Sequence, residues 1–202
     1  MAAFETLFVT SLYRANLGAR LNPELEAAAL LIAAEDKAGR RWAKDHGYKG
    51  YTSYAALDDL PLRAPAFAAL VKQLDRHVAA FARHADFELR RRKLKLDSLW
   101  LNVMHKGALH APHIHPHAVV SGTYYVTVPA GSGAIRFEDP RLPLMMAAPS
   151  RRKNAKLANR LFVDVEPKPG LLLLWESWLR HGVAESTARS PRISISFNYR
   201  LD

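Results

Sequence analysis

The sequence contains no cysteine. That absence excludes disulfides, thiolate metal ligands and cysteine nucleophiles together, and it fits a reducing compartment, so a cytoplasmic location is expected. No apolar run approaches the roughly 20 residues needed to cross a bilayer, so no membrane span is expected. Met1–Thr10 has no basic region leading into an apolar stretch, so no secretory leader is expected. Acidic residues are also scarce: 19 Asp and Glu stand against 29 Lys and Arg, a formal net charge of +10. Such a balance favours anionic partners such as nucleic acid or a phosphorylated or carboxylated small molecule, although a soluble protein can simply be basic.

Apolar residues make up 49% of the 202 residues, which excludes a disordered composition and is enough for a single domain with a real core. The first 90 residues read as mostly helical. Asn22-Pro23 looks like an N-cap and first helical position. Over Glu24–Lys44, residues Leu25, Ala28, Ala29, Ile32 and Ala33 fall at helical spacing. A Gly- and Tyr-rich break follows at Gly47–Tyr54. Over about Pro65–Ala85, residues Phe67, Leu70, Val71, Leu74, Val78 and Phe81 form one apolar face, as expected of a helix covering a sheet.

From residue 91 the pattern becomes one of short strands: Leu94–Val103, Ser121–Val128, Ala134–Phe137, Leu161–Val165, Gly170–Trp175 and Ile193–Tyr199. Helices first and strands later argue for an α+β fold. Pro143–Asn159, which holds the Arg151-Arg152-Lys153 cluster, reads as a long loop. It is either a solvated insertion or a lid able to hold an anionic substrate.

The chemical signal is histidine. Four of nine fall at His110, His113, His115 and His117. Residues two apart on a strand share a face, so His113 and His115 can present two imidazoles to one metal. Pro116 ends the ladder and makes His117 a poorer ligand. His181, after the Leu171–Leu174 strand, is the best third ligand. His105 and His110 suit supporting roles, and His46, His77 and His84 suit ordinary helix surfaces. Imidazole and oxygen ligands without thiolate suit iron, zinc, copper, nickel or manganese.

Arg192 opens a strictly alternating strand in which Arg192, Ser194 and Ser196 share one face and Ile193, Ile195 and Phe197 the other. A buried arginine needs an anion. Arg192 with Ser194 could grip the carboxylate of a dicarboxylic cosubstrate, or Arg192 could pair with Glu138, Asp139 or Glu185.

Six stretches occur in an order and spacing that resembles a family of 2-oxoglutarate/iron(II) oxygenases. They are His113-Ile114-His115-Pro116, Ser121-Gly122-Thr123-Tyr124-Tyr125-Val126, Gly133 to Arg141, Pro169 to Leu174, Ser177 to Val183, and Arg192 to Asn198. Gly50-Tyr51-Thr52-Ser53 and the helix after Pro65 extend the likeness over nearly the whole chain.

The resemblance implies a double-stranded β-helix (a jelly roll, cupin-like) over residues 91–202, with the helices of 1–90 packed on one sheet. It implies Fe(II), 2-oxoglutarate and O2 as cofactor and cosubstrates, with hydroxylation of some substrate as the reaction. His113 and His181 match the two histidines of the family's iron triad. His115 falls where a carboxylate is usual, so either His115 is the remaining ligand or Glu138 or Asp139 takes that place. Arg192 with Ser194 matches the cosubstrate-binding arginine and its partner, with Tyr125 and Asn102 as further contacts. Two other readings stay open: a cupin-like enzyme with three histidines and no 2-oxoglutarate, and a non-catalytic nucleic-acid-binding protein carried by Arg90-Arg91-Arg92-Lys93 and Arg151-Arg152-Lys153.

Overall fold

A computed structural model describes residues 1–202. Four helices, α1 (Asn22–Glu35), α2 (Lys37–Asp45), α3 (Leu60–Arg63) and α4 (Pro65–His84), lie in the first 90 residues. The apolar face expected on α4 is the buried one: Phe67, Leu70, Leu74, Val78 and Phe81 are buried. The single helix expected over Glu24–Lys44 is two. Asp36 leaves helical geometry between them, and its carboxylate accepts from the Gly39 N–H at 2.9 Å and the Tyr51 hydroxyl at 2.8 Å. A side chain that caps one helix and holds a distant tyrosine competes with helix propagation at its own backbone. Asn22 is not the N-cap either; it lies inside α1 after Leu21. It donates to the Val126 carbonyl at 2.7 Å and accepts from the Tyr124 hydroxyl at 2.5 Å, fixing α1 to the sheet beneath.

Ten strands follow one another along the chain: β1 (Tyr13–Asn16), β2 (Gly50–Thr52), β3 (Leu94–Met104), β4 (His110–His113), β5 (Val120–Thr127), β6 (Ile135–Glu138), β7 (Phe162–Val165), β8 (Leu171–Glu176), β9 (His181–Val183) and β10 (Arg192–Leu201). They form a six-stranded sheet in the order β1-β8-β5-β10-β3-β2 and a four-stranded sheet in the order β4-β9-β6-β7. From β3 onward the chain passes repeatedly from one sheet to the other, and every pairing is antiparallel. This is the double-stranded β-helix in an α+β setting. β1 and β2 were not foreseen; they come from the N-terminal part and close the two edges of the larger sheet. No helix is long and apolar enough to cross a membrane.

Strand alternation separates the two faces of the larger sheet. Ile193, Ile195, Phe197 and Tyr199 of β10 join Tyr124, Leu172 and the buried faces of α1 and α4 in a core of 23 buried residues. Arg192, Ser194, Ser196 and Asn198 point the other way, into a cavity between the sheets. A smaller core of Tyr125, Ile135, Phe137, Val165, Leu173, Trp175 and Leu179 joins the sheets beside it.

Gly122 stands directly opposite Phe197 on β10. A Cβ at 122 would lie 2.4 Å from the Phe197 ring and 2.6 Å from the Leu173 carbonyl, so only glycine lets the ring lie flat across β5. Gly122→Ala should therefore destabilise the fold by about 1–3 kcal/mol through overpacking. Urea unfolding with an unchanged midpoint would contradict this account.

Candidate metal and cosubstrate site

β4 and β9 pair so that His113 lies directly opposite His181. His115 joins them by a different route from the one its spacing suggests. β4 ends at His113, so strand alternation does not orient His115. Its backbone N–H donates to the Ser177 carbonyl at 3.0 Å, and its ring Nδ1 donates to Asn198 Oδ1 at 2.6 Å. The three imidazoles bring one ligand atom each to within 4.8 Å of one another.

Hydrogen bonding settles which nitrogen each ring offers. Nδ1 of His113 lies 2.7 Å from the Ala111 carbonyl, and Nδ1 of His181 lies 2.8 Å from the Leu179 carbonyl. A carbonyl can only accept, so both Nδ1 atoms carry the proton, as does Nδ1 of His115 toward Asn198. All three Nε2 lone pairs remain free. Burial also keeps rings uncharged: it pushes His181 down to about 3 and lowers His115 as well. Neutral imidazoles with fixed tautomers are the donor set a divalent transition metal takes, so the residues present fit an iron site.

No carboxylate belongs to this cluster. Glu138 pairs with Arg180 at 3.4 Å, and Asp139 grips Arg141 at 2.8 Å. Neither lines the cavity, so the geometry favours His115 over both for the remaining position. His117 is exposed and outside the cluster, and His105 is exposed too. His46 stacks on Trp42, His77 meets the Tyr13 hydroxyl at 2.7 Å, and His84 meets Ser11. His110 does face the cavity, with Nε2 2.7 Å from the Tyr48 hydroxyl oxygen.

Asn198 is a positioning residue that its sequence context did not reveal. Its Oδ1 accepts from His115 and, at 2.8 Å, from Ser121, while its Nδ2 donates to Ser98 at 3.1 Å. Ser121 in turn meets Ser177 at 2.7 Å. The only sequence sign was its place on the cavity face of β10, in phase with Arg192, Ser194 and Ser196.

Arg192 is buried to 3% exposure and has no acidic partner. Its guanidinium reaches the Gly133 carbonyl at 3.1 Å and the Met104 sulfur at 2.7 Å, the Tyr125 ring lies 5.6 Å from its Cζ, and Nε has no partner. The ion pairs with Glu138, Asp139 or Glu185 weighed above do not form. Burial lowers the Arg192 pKa and pushes Tyr125 up to about 12. Ser194 is buried on the same face. Asn102 donates to Ser196 at 3.3 Å and leaves Oδ1 free.

Trp175 was read only as part of an apolar strand. Its Nε1 is the third buried polar atom without a partner, after Asn102 Oδ1 and Arg192 Nε. All three belong to residues lining the one cavity, of about 470 Å3, that also holds the histidine cluster. Buried polar atoms in folded proteins are nearly always satisfied, so three unsatisfied ones around one cavity mark a place for a polar ligand. Residues 143–159, the loop that reads as either a solvated insertion or a lid, contribute nothing to the lining.

Residues 98–198, half of the chain, match the model of the family described as "Putative 2OG-Fe(II) oxygenase". The chain belongs to this family: it is an oxidoreductase of the kind that uses Fe(II), 2-oxoglutarate and O2. Solved structures agree on the fold. A prolyl-4-hydroxylase from Pseudomonas putida matches at 18% identity over 95% of this chain and 94% of that one, with a TM-score of 0.65. HygX from Streptomyces hygroscopicus, solved with nickel and 2-oxoglutarate, matches at 14% identity over 95% and 82%, with a TM-score of 0.63. The α-ketoglutarate-dependent epimerase SnoN from nogalamycin biosynthesis matches at 16% identity over 95% and 76%, also at 0.63. No curated protein matches the sequence.

Two predictions follow from the site geometry. Asn198→Ala should leave His115 in place but free to rotate, weakening metal affinity about 10- to 100-fold, as loss of an outer hydrogen-bond partner does; calorimetric metal titration measures it, and unchanged affinity would remove Asn198 from the site. The second concerns pH. In metal-free protein His110 and His181 have values of about 3, against an ordinary 6.5. Between those values the unfolded chain binds protons that the folded one excludes, so stability is complete above about pH 6.5 and falls as pH drops toward 3. The slope is up to about 1.4 kcal/mol per pH unit for each histidine. A flat denaturation profile over that range would contradict buried neutral rings.

Proposed function

We propose that the protein hydroxylates a C–H bond of an organic substrate, with Fe(II) held by His113, His115 and His181 and 2-oxoglutarate held by Arg192, Ser194, Tyr125 and Asn102. The observation that carries this reading is Arg192: a buried guanidinium without an anion, in the same cavity as three imidazoles with free Nε2 atoms. A buried cation without a partner is costly, and a carboxylate arriving with its own charge removes the cost. When bound, Fe(II) supplies the redox chemistry that couples oxidative decarboxylation of 2-oxoglutarate to oxidation of the substrate.

The chain's own residues then do three things. The imidazoles orient the metal through tautomers already fixed by Ala111, Asn198 and Leu179. Three neutral ligands leave that site one unit more positive than two histidines and a carboxylate would, which favours the anionic end of the cosubstrate. Arg192 and Ser194 supply donors for its far carboxylate, while the Tyr125 ring and Trp175 wall the cavity against water.

The substrate side of the cavity has its own character. Trp42, Tyr54, Leu109 and Ile114 line it, and the Tyr54 ring stands edge-on to Trp100 with centroids 5.1 Å apart. Arg192 is the sole Lys, Arg, Asp or Glu among the lining residues. Once a carboxylate occupies it, the remaining walls accept an uncharged group. The neighbours include both a hydroxylase and an epimerase, so the fold leaves the outcome to this lining. Any role of the +10 surface in holding a larger anionic partner is supported by charge alone. A cytoplasmic location rests on the lack of cysteine.

The test is succinate formation. Anaerobically Fe(II)-loaded protein is given 2-oxoglutarate, oxygen is admitted, and succinate is measured. Turnover should vanish in His181→Ala, and Arg192→Ala should raise the 2-oxoglutarate requirement by roughly 30-fold or more, the scale of a lost buried charge pair. Metal-loaded protein that fails to bind 2-oxoglutarate would refute the reading.

A further inference from the structure

The family match begins at residue 98, yet Trp42, Tyr48, Thr52 and Tyr54 also line the cavity. Tyr48 lies between α2 and β2. Its hydroxyl is 2.7 Å from His110 Nε2, and the two rings meet edge to face with centroids 5.4 Å apart. A phenol is the natural donor to a neutral imidazole nitrogen, so Nε2 accepts and the ring proton sits on Nδ1, where no protein acceptor meets it.

Arg192 shares this part of the cavity: its guanidinium meets the Met104 sulfur at 2.7 Å, and Met104 pairs with Gly50, two residues after Tyr48. No Asp or Glu lines the cavity to claim that charge, and Arg192 Nε has no partner. This part of the cavity therefore gathers one cation and several neutral donors. That combination takes a single carboxylate rather than a dianion.

We propose that His110, its ring held by the Tyr48 hydroxyl, offers Nδ1–H as a second donor arm to the carboxylate that Arg192 holds. The arm rests on the reading of Arg192 given above. It makes recognition of the far end of the 2-oxo dicarboxylate a joint task of the β10 strand and of a residue outside the family-matched stretch.

The experiment compares two ligands on anaerobic Fe(II)-loaded protein by calorimetry: 2-oxoglutarate, and pyruvate, which shares the 2-oxo acid end but lacks the far carboxylate. Metal content is measured for every variant. His110→Leu should weaken 2-oxoglutarate about tenfold by removing a hydrogen bond to a charged group, and Tyr48→Phe should do the same by freeing the ring that makes it, both leaving pyruvate within about twofold. If His110→Leu loses metal, Tyr48→Phe decides alone. An equal effect on both ligands, or none on 2-oxoglutarate, overturns the arm. If 2-oxoglutarate binding depends on Arg192 but not on Tyr48, the arm falls and the Arg192 reading stands. If wild-type protein takes no 2-oxoglutarate, both fall together.

Discussion

Strand β10 is hydrogen-bonded along both sides, to β3 and to β5, and its two faces carry opposite chemistry. One face supplies Ile193, Ile195, Phe197 and Tyr199 to the core under the helices. The other supplies Arg192, Ser194, Ser196 and Asn198 to the cavity. A slip of one residue would exchange the two sets, burying a guanidinium among aliphatics and turning isoleucines toward the histidine cluster. The register is held by the Phe197 ring lying across Gly122, and by irregularities at Ile193/Ser194 against β5 and at Asn198/Tyr199 against β3. These irregularities bracket Ser194–Asn198 and oppose a slip of that stretch.

The cavity owes its chemistry to the way these constraints meet. The sheet supplies an arginine with no counter-ion, and the β4–β9 pair supplies two imidazoles from directly opposite positions of a strand ladder. The loop after β4 supplies a third, braced against β10. Buried groups left unsatisfied would ordinarily be selected against. Here the unpaired atoms of Asn102, Trp175 and Arg192 share one cavity, so the deficit is local: two donors, Trp175 Nε1 and Arg192 Nε, and one acceptor, Asn102 Oδ1. Ligand oxygens meet the two donors.

Much of this was visible in the residues themselves. The α4 face, the strands of the second half, and the candidates His113, His181 and Arg192 each carry a local pattern: a helical period, an alternation, a dense histidine cluster. Geometry was less visible. His115 is in the cluster, but a loop brings it there. The helix expected over Glu24–Lys44 hides its break, because the reason for it is the Tyr51 hydroxyl, 15 residues further on. β1 and β2 are only four and three residues long, and they exist because a neighbouring edge needs a partner. Tyr48, Trp175 and Asn198 could not be singled out, since their roles depend on partners far along the chain: 62 residues separate Tyr48 from His110, and 83 separate His115 from Asn198.

That last separation bears on the order in which the centre comes into being. His113 and His181 each bond to the carbonyl two residues before them, so a short stretch of chain suffices to aim those rings. His115 takes its aim from β10, 83 residues further along the chain. A chain that has not yet laid β10 into the sheet therefore holds two aimed imidazoles and one that swings. Two ligands hold a metal loosely enough to let it go; three hold it. In the proposed three-histidine site, the third ring is therefore aimed only when β10 lies in the sheet, together with the wall that β10 lends the cavity.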